Sequence, residues 1–167
     1  MIESDYLKES EDLLQKLREI RTLKPFDESD LKAILSLSKI RKYEPGELII
    51  EEGEFDRWIY FLISGKVRIV KLGKELNVLT RRGDIFGEMG TIDGSARSAS
   101  VYAIDETLCL ATDASFVGRL SGNDKIVFRC ILYQVFAEIL ASRLRLTNRE
   151  LVKAKKEIAR LKAELSQ

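Results

Sequence analysis

The sequence predicts a mainly β domain, a sandwich or barrel of short strands, set between helices. Three observations predict it. Glycine is absent from residues 1–45, occurs eight times in 46–94, and is absent again from 123–167. Inside the glycine-rich zone, short apolar runs recur between turn pairs. From about Asn123 no glycine or proline interrupts the chain. One helix of that length spans roughly 64 Å, too long to pack on so small a domain. The expected organisation is N-terminal helices over residues 1–38, a β domain over 39–122 and a long helix over 123–167.

In chain order, Leu7, Leu13, Leu14, Leu17, Ile20 and Leu23 have the spacing of one apolar helical stripe. Lys24-Pro25 stops it, because proline disfavours helical geometry in the residue before it. A second short helix is predicted from about Glu28 to Leu37, capped by Asp27, with Leu31, Ile34 and Leu35 facing inward. Strands are predicted at Glu47–Glu51, Trp58–Ser64, Lys66–Val70, Leu76–Thr80, Ser98–Ala103 and Thr107–Ala111. Trp58–Ile63 is apolar on both faces, as in a covered central strand; Lys66-Val-Arg-Ile alternates, as in one with a wet face. Ser64-Gly65 leaves room only for a tight hairpin between those two.

The long helix carries a heptad pattern. With Leu144, Leu151, Ile158 and Leu165 at a, the d positions are Leu140, Thr147, Ala154 and Leu161; Ala137, Tyr133, Cys130 and Ile126 continue the seam backwards. Glu150 and Glu157 at g then face Lys155 and Lys162 at e, attractive contacts in a parallel pair. The expected partner is a second copy of the chain. From Arg143 onward the tail carries +5, leaving −4 on the remainder of a chain whose formal charge is only +1. With no aromatic between the basic residues, a solvated coiled-coil surface explains that charge better than a nucleic-acid or membrane contact.

Composition limits the chemistry. The 167 residues include no histidine, which excludes Ser-His-Asp and Cys-His catalysis, histidine-ligated metals and a histidine pH switch. Cys109 and Cys130 lack metal-ligand spacing and sit among apolar neighbours, so both read as buried thiols. No run is long enough for a membrane span, and the acidic N-terminus is unlike a targeting signal. A cytoplasmic protein that is not an enzyme and holds no metal is expected.

The stretch richest in chemistry is Phe86-Gly-Glu-Met-Gly-Thr-Ile-Asp-Gly-Ser-Ala-Arg-Ser-Ala-Ser-Val101. Small residues let a ligand approach backbone N–H groups that bind anions. Arg97 offers a planar fork suited to phosphate, Ser98 a hydroxyl and an N–H, and Glu88 an acceptor suited to a sugar hydroxyl. One nucleotide could be read by this set. An internal Glu88–Arg97 ion pair across the turn is the equal alternative on chemistry alone.

This stretch resembles the phosphate-binding cassette of the cyclic-nucleotide-binding domain family, and Tyr43-Glu-Pro-Gly-Glu, Gly53 and Ile63-Ser-Gly-Lys-Val are similar to that family's first hairpins. The likeness spans roughly residues 24–150. It implies a jelly-roll β-barrel with helices at both ends and a ligand site formed by Phe86, Gly87, Glu88, Met89, Arg97, Ser98 and Ala99. Glu88 would meet the ribose 2′-hydroxyl; Arg97, Ser98 and nearby amides would meet the cyclic phosphate. Within the family, Gly87-Glu-Met-Gly90, Arg97-Ser-Ala99 and Ala141-Ser-Arg-Leu-Arg-Leu-Thr-Asn-Arg149 are most similar to bacterial catabolite activators. That similarity implies adenine recognition by Thr147 and Asn148 across a dimer interface. Ala96 departs from the proline usual before the arginine, which implies a less rigid cassette. The chain ends inside the coiled coil, so no helix-turn-helix DNA-binding domain is expected in it.

The function these readings imply is a homodimeric cyclic-nucleotide sensor, for cAMP with cGMP possible through Ser98, whose ligand rearranges the C-terminal helices. The alternative is a coiled-coil assembly module with a degenerate pocket. A cupin-type barrel enzyme is disfavoured, because such enzymes usually hold metal with histidines.

Overall fold

The structure is a computed structural model that describes residues 1–5, 11–20, 23–115 and 123–165. It divides into two units, Met1–Ile131 and Leu132–Gln167.

In the first unit, α1 (Glu11–Arg18) and α2 (Glu28–Ser36) precede most of the strands. The first helix stops earlier than its stripe suggests. After Arg18, successive three-residue hydrogen bonds link Leu17 to Ile20, Ile20 to Leu23 and Leu23 to Phe26. Leu14, Leu17, Ile20, Leu23 and Phe26 are all buried, and their spacing of three is the period of these tighter turns. Leu7 and the side chain of Leu13 lie outside the described residues. The second helix follows its prediction: Asp27 caps it by accepting the Asp30 N–H at 2.8 Å, and Leu31, Ile34 and Leu35 are buried.

Among the described residues, nine strands form two antiparallel sheets: β1 (Ile2–Glu3), β2 (Ser38–Tyr43), β3 (Leu48–Ile50), β4 (Trp58–Ser64), β5 (Val67–Lys71), β6 (Lys74–Leu79), β7 (Ile85–Phe86), β8 (Ser100–Ala103) and β9 (Thr107–Asp113). One sheet has the order β1-β2-β9-β4-β7, the other β3-β8-β5-β6. Residues of both fill one core, among them Tyr43, Leu62, Phe86 and Cys109 from the first sheet and Ile50, Val67, Leu79 and Val101 from the second. The expected closed barrel is therefore two separate sheets around a shared core. The covered strand Trp58–Ile63 is indeed internal, between β9 and β7.

The expected hairpin at Ser64-Gly65 is overturned. β4 pairs with β7 and β9, while β5 pairs with β6 and β8. Gly65 is a corner that passes the chain from one sheet to the other. Its φ is +88°, and a Cβ there would lie 2.5 Å from the Glu106 carbonyl oxygen, so the β8–β9 turn packs directly on the corner. The hairpin forms one strand later: β5 and β6 are joined by Leu72 and Gly73, both with positive φ, the geometry of a type I′ turn. β2 was not predicted, since Ser38-Lys-Ile-Arg-Lys-Tyr43 is too charged to read as an internal strand.

In the second unit and the segment leading into it, α4 (Asn123–Leu165) runs unbroken, as its lack of breakers implies. Leu144, Leu151, Ile158 and Leu165 are exposed along it, and the side chain of Ile126 lies outside the described residues. Glu150 and Glu157 bond to Lys153 and Arg160 of their own helix. Cys109 is buried, which pushes its thiol up to about 12. Cys130 is exposed, contrary to expectation. Neighbours along a helix are turned about 100° apart, so the buried Leu132 says nothing about the face Cys130 occupies. Among the described residues, no helix is long and apolar enough to cross a membrane, and no acidic or cysteine cluster could hold a metal ion.

Candidate functional site

The cassette starts where β7 ends. Phe86 is buried and stacks on Tyr60, with ring centroids 5.1 Å apart. Gly87 follows with φ +81°. A Cβ on it would lie 2.8 Å from Arg97 Nη1 and 2.9 Å from the Trp58 carbonyl oxygen, so only glycine lets this backbone pass the arginine. Glu88 is the N-cap of the short helix α3 (Met89–Asp93), where its carbonyl accepts the Thr91 and Ile92 N–H groups. Gly94 closes that helix in the left-handed conformation. Asp93 then accepts both the hydroxyl and the backbone N–H of Ser95, which hold its carboxyl below its ordinary value.

Two charges are buried here. Glu88 is fully buried, and Arg97 is 4% exposed. All three nitrogens of the Arg97 guanidinium donate hydrogen bonds. Nε donates to Asp56 Oδ2 at 2.9 Å, Nη1 to the Gly87 carbonyl, and Nη2 to the Trp58 carbonyl at 2.6 Å and to Asp56 Oδ1. Its backbone is pinned too, with its N–H on the Glu54 carbonyl at 2.8 Å and its carbonyl accepting from Gly53 at 2.9 Å. The internal pairing set against a ligand role was Glu88 with Arg97; the carboxylate that grips this arginine is Asp56. Trp58 N–H also donates to Asp56 Oδ1 at 2.8 Å, which orients that carboxylate.

Around this core lie exposed groups. The Ser98 hydroxyl points at the Met89 sulfur at 3.6 Å, and Met89 is 44% exposed. Lys71 Nζ donates to the Ser98 carbonyl at 2.8 Å and Ser100 Oγ accepts the Glu52 N–H at 3.0 Å, so the β5–β6 hairpin and the loop after β3 brace the segment. The structure thus gathers Phe86, Gly87, Glu88, Met89, Arg97, Ser98 and Ala99 in one turn system. Thr147 and Asn148 are exposed on α4, in the other unit. Sequence reasoning missed Asp56, which stands 41 residues before Arg97. Asp56 is one of four carboxylates in Glu51–Asp56, and nothing in their spacing singles it out.

A buried arginine and a buried carboxylate on one glycine turn fit an anionic ligand that also carries hydroxyls. Comparison with known proteins agrees. Residues 40–124 match the family model described as cyclic nucleotide-binding domain. The chain belongs to the cyclic nucleotide-binding domain family. This member is 30% identical over 125 residues to a cGMP-dependent protein kinase of Eimeria tenella, covering 74% of the chain and 12% of the kinase. It is 29% identical over 107 residues to the cAMP-dependent protein kinase regulatory subunit of Schizosaccharomyces pombe, covering 64% of the chain and 26% of the subunit. The solved Thermus thermophilus catabolite activator protein is similar at a TM-score of 0.62 and 30% identity, over 78% of this chain and 61% of that one. The domain therefore spans only a small part of the two curated relatives.

Proposed function

We propose that this domain is a cyclic-nucleotide sensor that binds cAMP and acts as a homodimer. The observation that carries this reading is Arg97, buried yet fixed by four hydrogen bonds at a glycine turn beside the buried Glu88. Holding a guanidinium so firmly before the ligand arrives lowers the ordering cost of binding a phosphate. Arg97 and Ser98 take the cyclic phosphate, Glu88 takes the ribose 2′-hydroxyl, and Met89 and Ala99 line the entrance. Thr147 and Asn148 of α4 contribute to the adenine across the dimer interface. The exposed row Leu144, Leu151, Ile158 and Leu165 is the seam to a second copy. Because the base touches α4, the helix arrangement that completes this contact binds the ligand better and gains population.

The names of the relatives support a cyclic nucleotide of either base; the choice of cAMP rests on Thr147 and Asn148. The test is a thermal melt of the whole chain with millimolar cAMP or cGMP, with native mass spectrometry reporting its oligomer. Ligand at a hundredfold excess over Kd stabilises by about 2.7 kcal/mol, so a rise in Tm is expected with a dimer mass. A dimer whose Tm neither nucleotide moves overturns the sensor reading in favour of an assembly module.

A further inference from the structure

This inference rests on the proposed function and concerns the sulfur at the mouth of the cassette. The chain has two methionines, Met1 and Met89, and two cysteines. Cys109 is sealed in the core and Cys130 is exposed on α4. Of the four, only Met89 stands in the turn system that holds Glu88, Arg97 and Ser98, as the first residue of α3. Its side chain is exposed, so the thioether is open to small reactants in solvent.

That sulfur already has a partner. The Ser98 hydroxyl donates to it at 3.6 Å, and among the described residues this is the hydroxyl's one hydrogen bond. Both ends of the contact are held. A Cβ on Gly90 would lie 2.8 Å from the Ser95 carbonyl oxygen, so the start of α3 is pressed against the segment leading to Arg97. Lys71 holds the Ser98 carbonyl, and the Arg97 N–H is fixed on Glu54. A thioether is a weak acceptor, so the hydroxyl leaves it readily for a phosphate oxygen.

A sulfoxide reverses that balance. It turns an apolar group into a polar one with an oxygen acceptor. Carried by the sulfur that already faces Ser98, this oxygen takes the hydroxyl in an O–H···O bond, which a phosphate must then displace. The Arg97 fork, bonded to Asp56, Gly87 and Trp58, has no part in the change. The consequence is a weaker site, not a destroyed one.

We propose that Met89 is a site of reversible oxidation by hydroperoxides, and that its sulfoxide lowers nucleotide affinity by capturing the Ser98 hydroxyl. The sulfur lone pair attacks the terminal peroxide oxygen and the O–O bond breaks. The proton of that oxygen passes to the departing one, which leaves as water or an alcohol. Sulfur is oxidised by two electrons and the peroxide is reduced by two. Methionine sulfoxide reductase chemistry returns the thioether at the expense of a thiol.

The test is calorimetry with cAMP on the full chain before and after hydrogen peroxide. Peptide mass spectrometry locates the added oxygen, and a thiol reductant afterwards returns Cys130 to the thiol. Wild type is expected to gain one oxygen at Met89 and to bind cAMP about tenfold more weakly, with the affinity restored by methionine sulfoxide reductase. Met89→Leu is compared only with itself, and peroxide is expected to leave its affinity within about twofold. Ser98→Ala still takes the oxygen but has no hydroxyl to lose, so its change is expected to stay within about threefold. Unchanged affinity in wild type oxidised at Met89 overturns the proposal, as does a Met89 that takes no oxygen or a loss that Met89→Leu shares. A full loss in Ser98→Ala overturns the capture of the hydroxyl. If untreated wild type binds no cyclic nucleotide at all, the proposed function itself has failed, and the switch with it.

Discussion

Two arginines flank Trp58. Arg97 donates to its carbonyl, and the Arg41 guanidinium lies 4.1 Å from the centre of its ring. Their side chains are 3% and 11% exposed, and each is bonded to a single carboxylate, Asp56 and Glu3 respectively. The difference lies in what else surrounds them. Arg41 is held by aromatic faces, Trp58 and Tyr60, and donates to the Tyr60 hydroxyl at 2.8 Å. Rings offer an anion nothing. Arg97 lies in the cassette, next to the exposed hydroxyl of Ser98 and against a glycine whose Cβ would sit 2.8 Å from Nη1. A buried arginine is therefore not a ligand site by virtue of its charge; what lies around the guanidinium decides whether an anion can reach it.

This contrast can be broken most sharply at Arg97. Arg97→Leu is expected to weaken cAMP binding at least roughly 30-fold, about 2 kcal/mol, measured by calorimetry. Equal affinity in the two proteins would remove Arg97 from the phosphate. Arg41→Leu is expected to do the reverse. It removes the stacking on Trp58 and the pair with Glu3, lowering stability by about 1–2 kcal/mol in urea melts, while cAMP affinity stays within about threefold. A large loss of affinity would show that the two arginines work as one system.

Asp56→Asn keeps the shape but removes the charge opposite Arg97. The carboxylate is 32% exposed, so the loss is expected to be modest, about 1–2 kcal/mol in the unliganded protein. Saturating cAMP should recover part of it, because the phosphate replaces the lost counter-charge; thermal melts with and without nucleotide would show this. The smallest effect is at Glu3. The hydrogen bond from Lys39, aided by Arg41, holds its carboxyl below the ordinary 4.5. A group lowered in the folded state contributes stability that is complete above its unfolded value and lost as pH falls through the folded one. Protection of the Ser4 N–H, which donates to Ile40, should therefore be full above about pH 4.5 and fall as the pH drops below it. Glu3→Gln should flatten that profile.

Much of the site was legible because its signals are local. Gly87, Glu88 and Arg97 lie within one short stretch whose small residues leave few other uses for a buried charge. Asp56 was not legible, since it acquires its role by pairing across the fold, where it meets Arg97 over 41 residues. The same reason explains the misread corner. Serine and glycine at 64 and 65 announce a sharp turn, but whether its flanking strands pair depends on β9 and β8, which arrive some forty residues later. At the N-terminus, a spacing of three satisfied the helical template through Arg18 and then continued as tighter turns.

The place of β9 also has a consequence for how the chain is made. It lies between β2 and β4 in the five-stranded sheet, so each of those strands lacks one of its two neighbours until residue 113 has been synthesised. The β5–β6 hairpin closes over two residues and can form while the chain is still emerging. A ribosome-bound chain therefore displays one unpaired edge of β4 for as long as it takes to extend from β4 to β9. Over that interval this edge is open to a chaperone or to another chain.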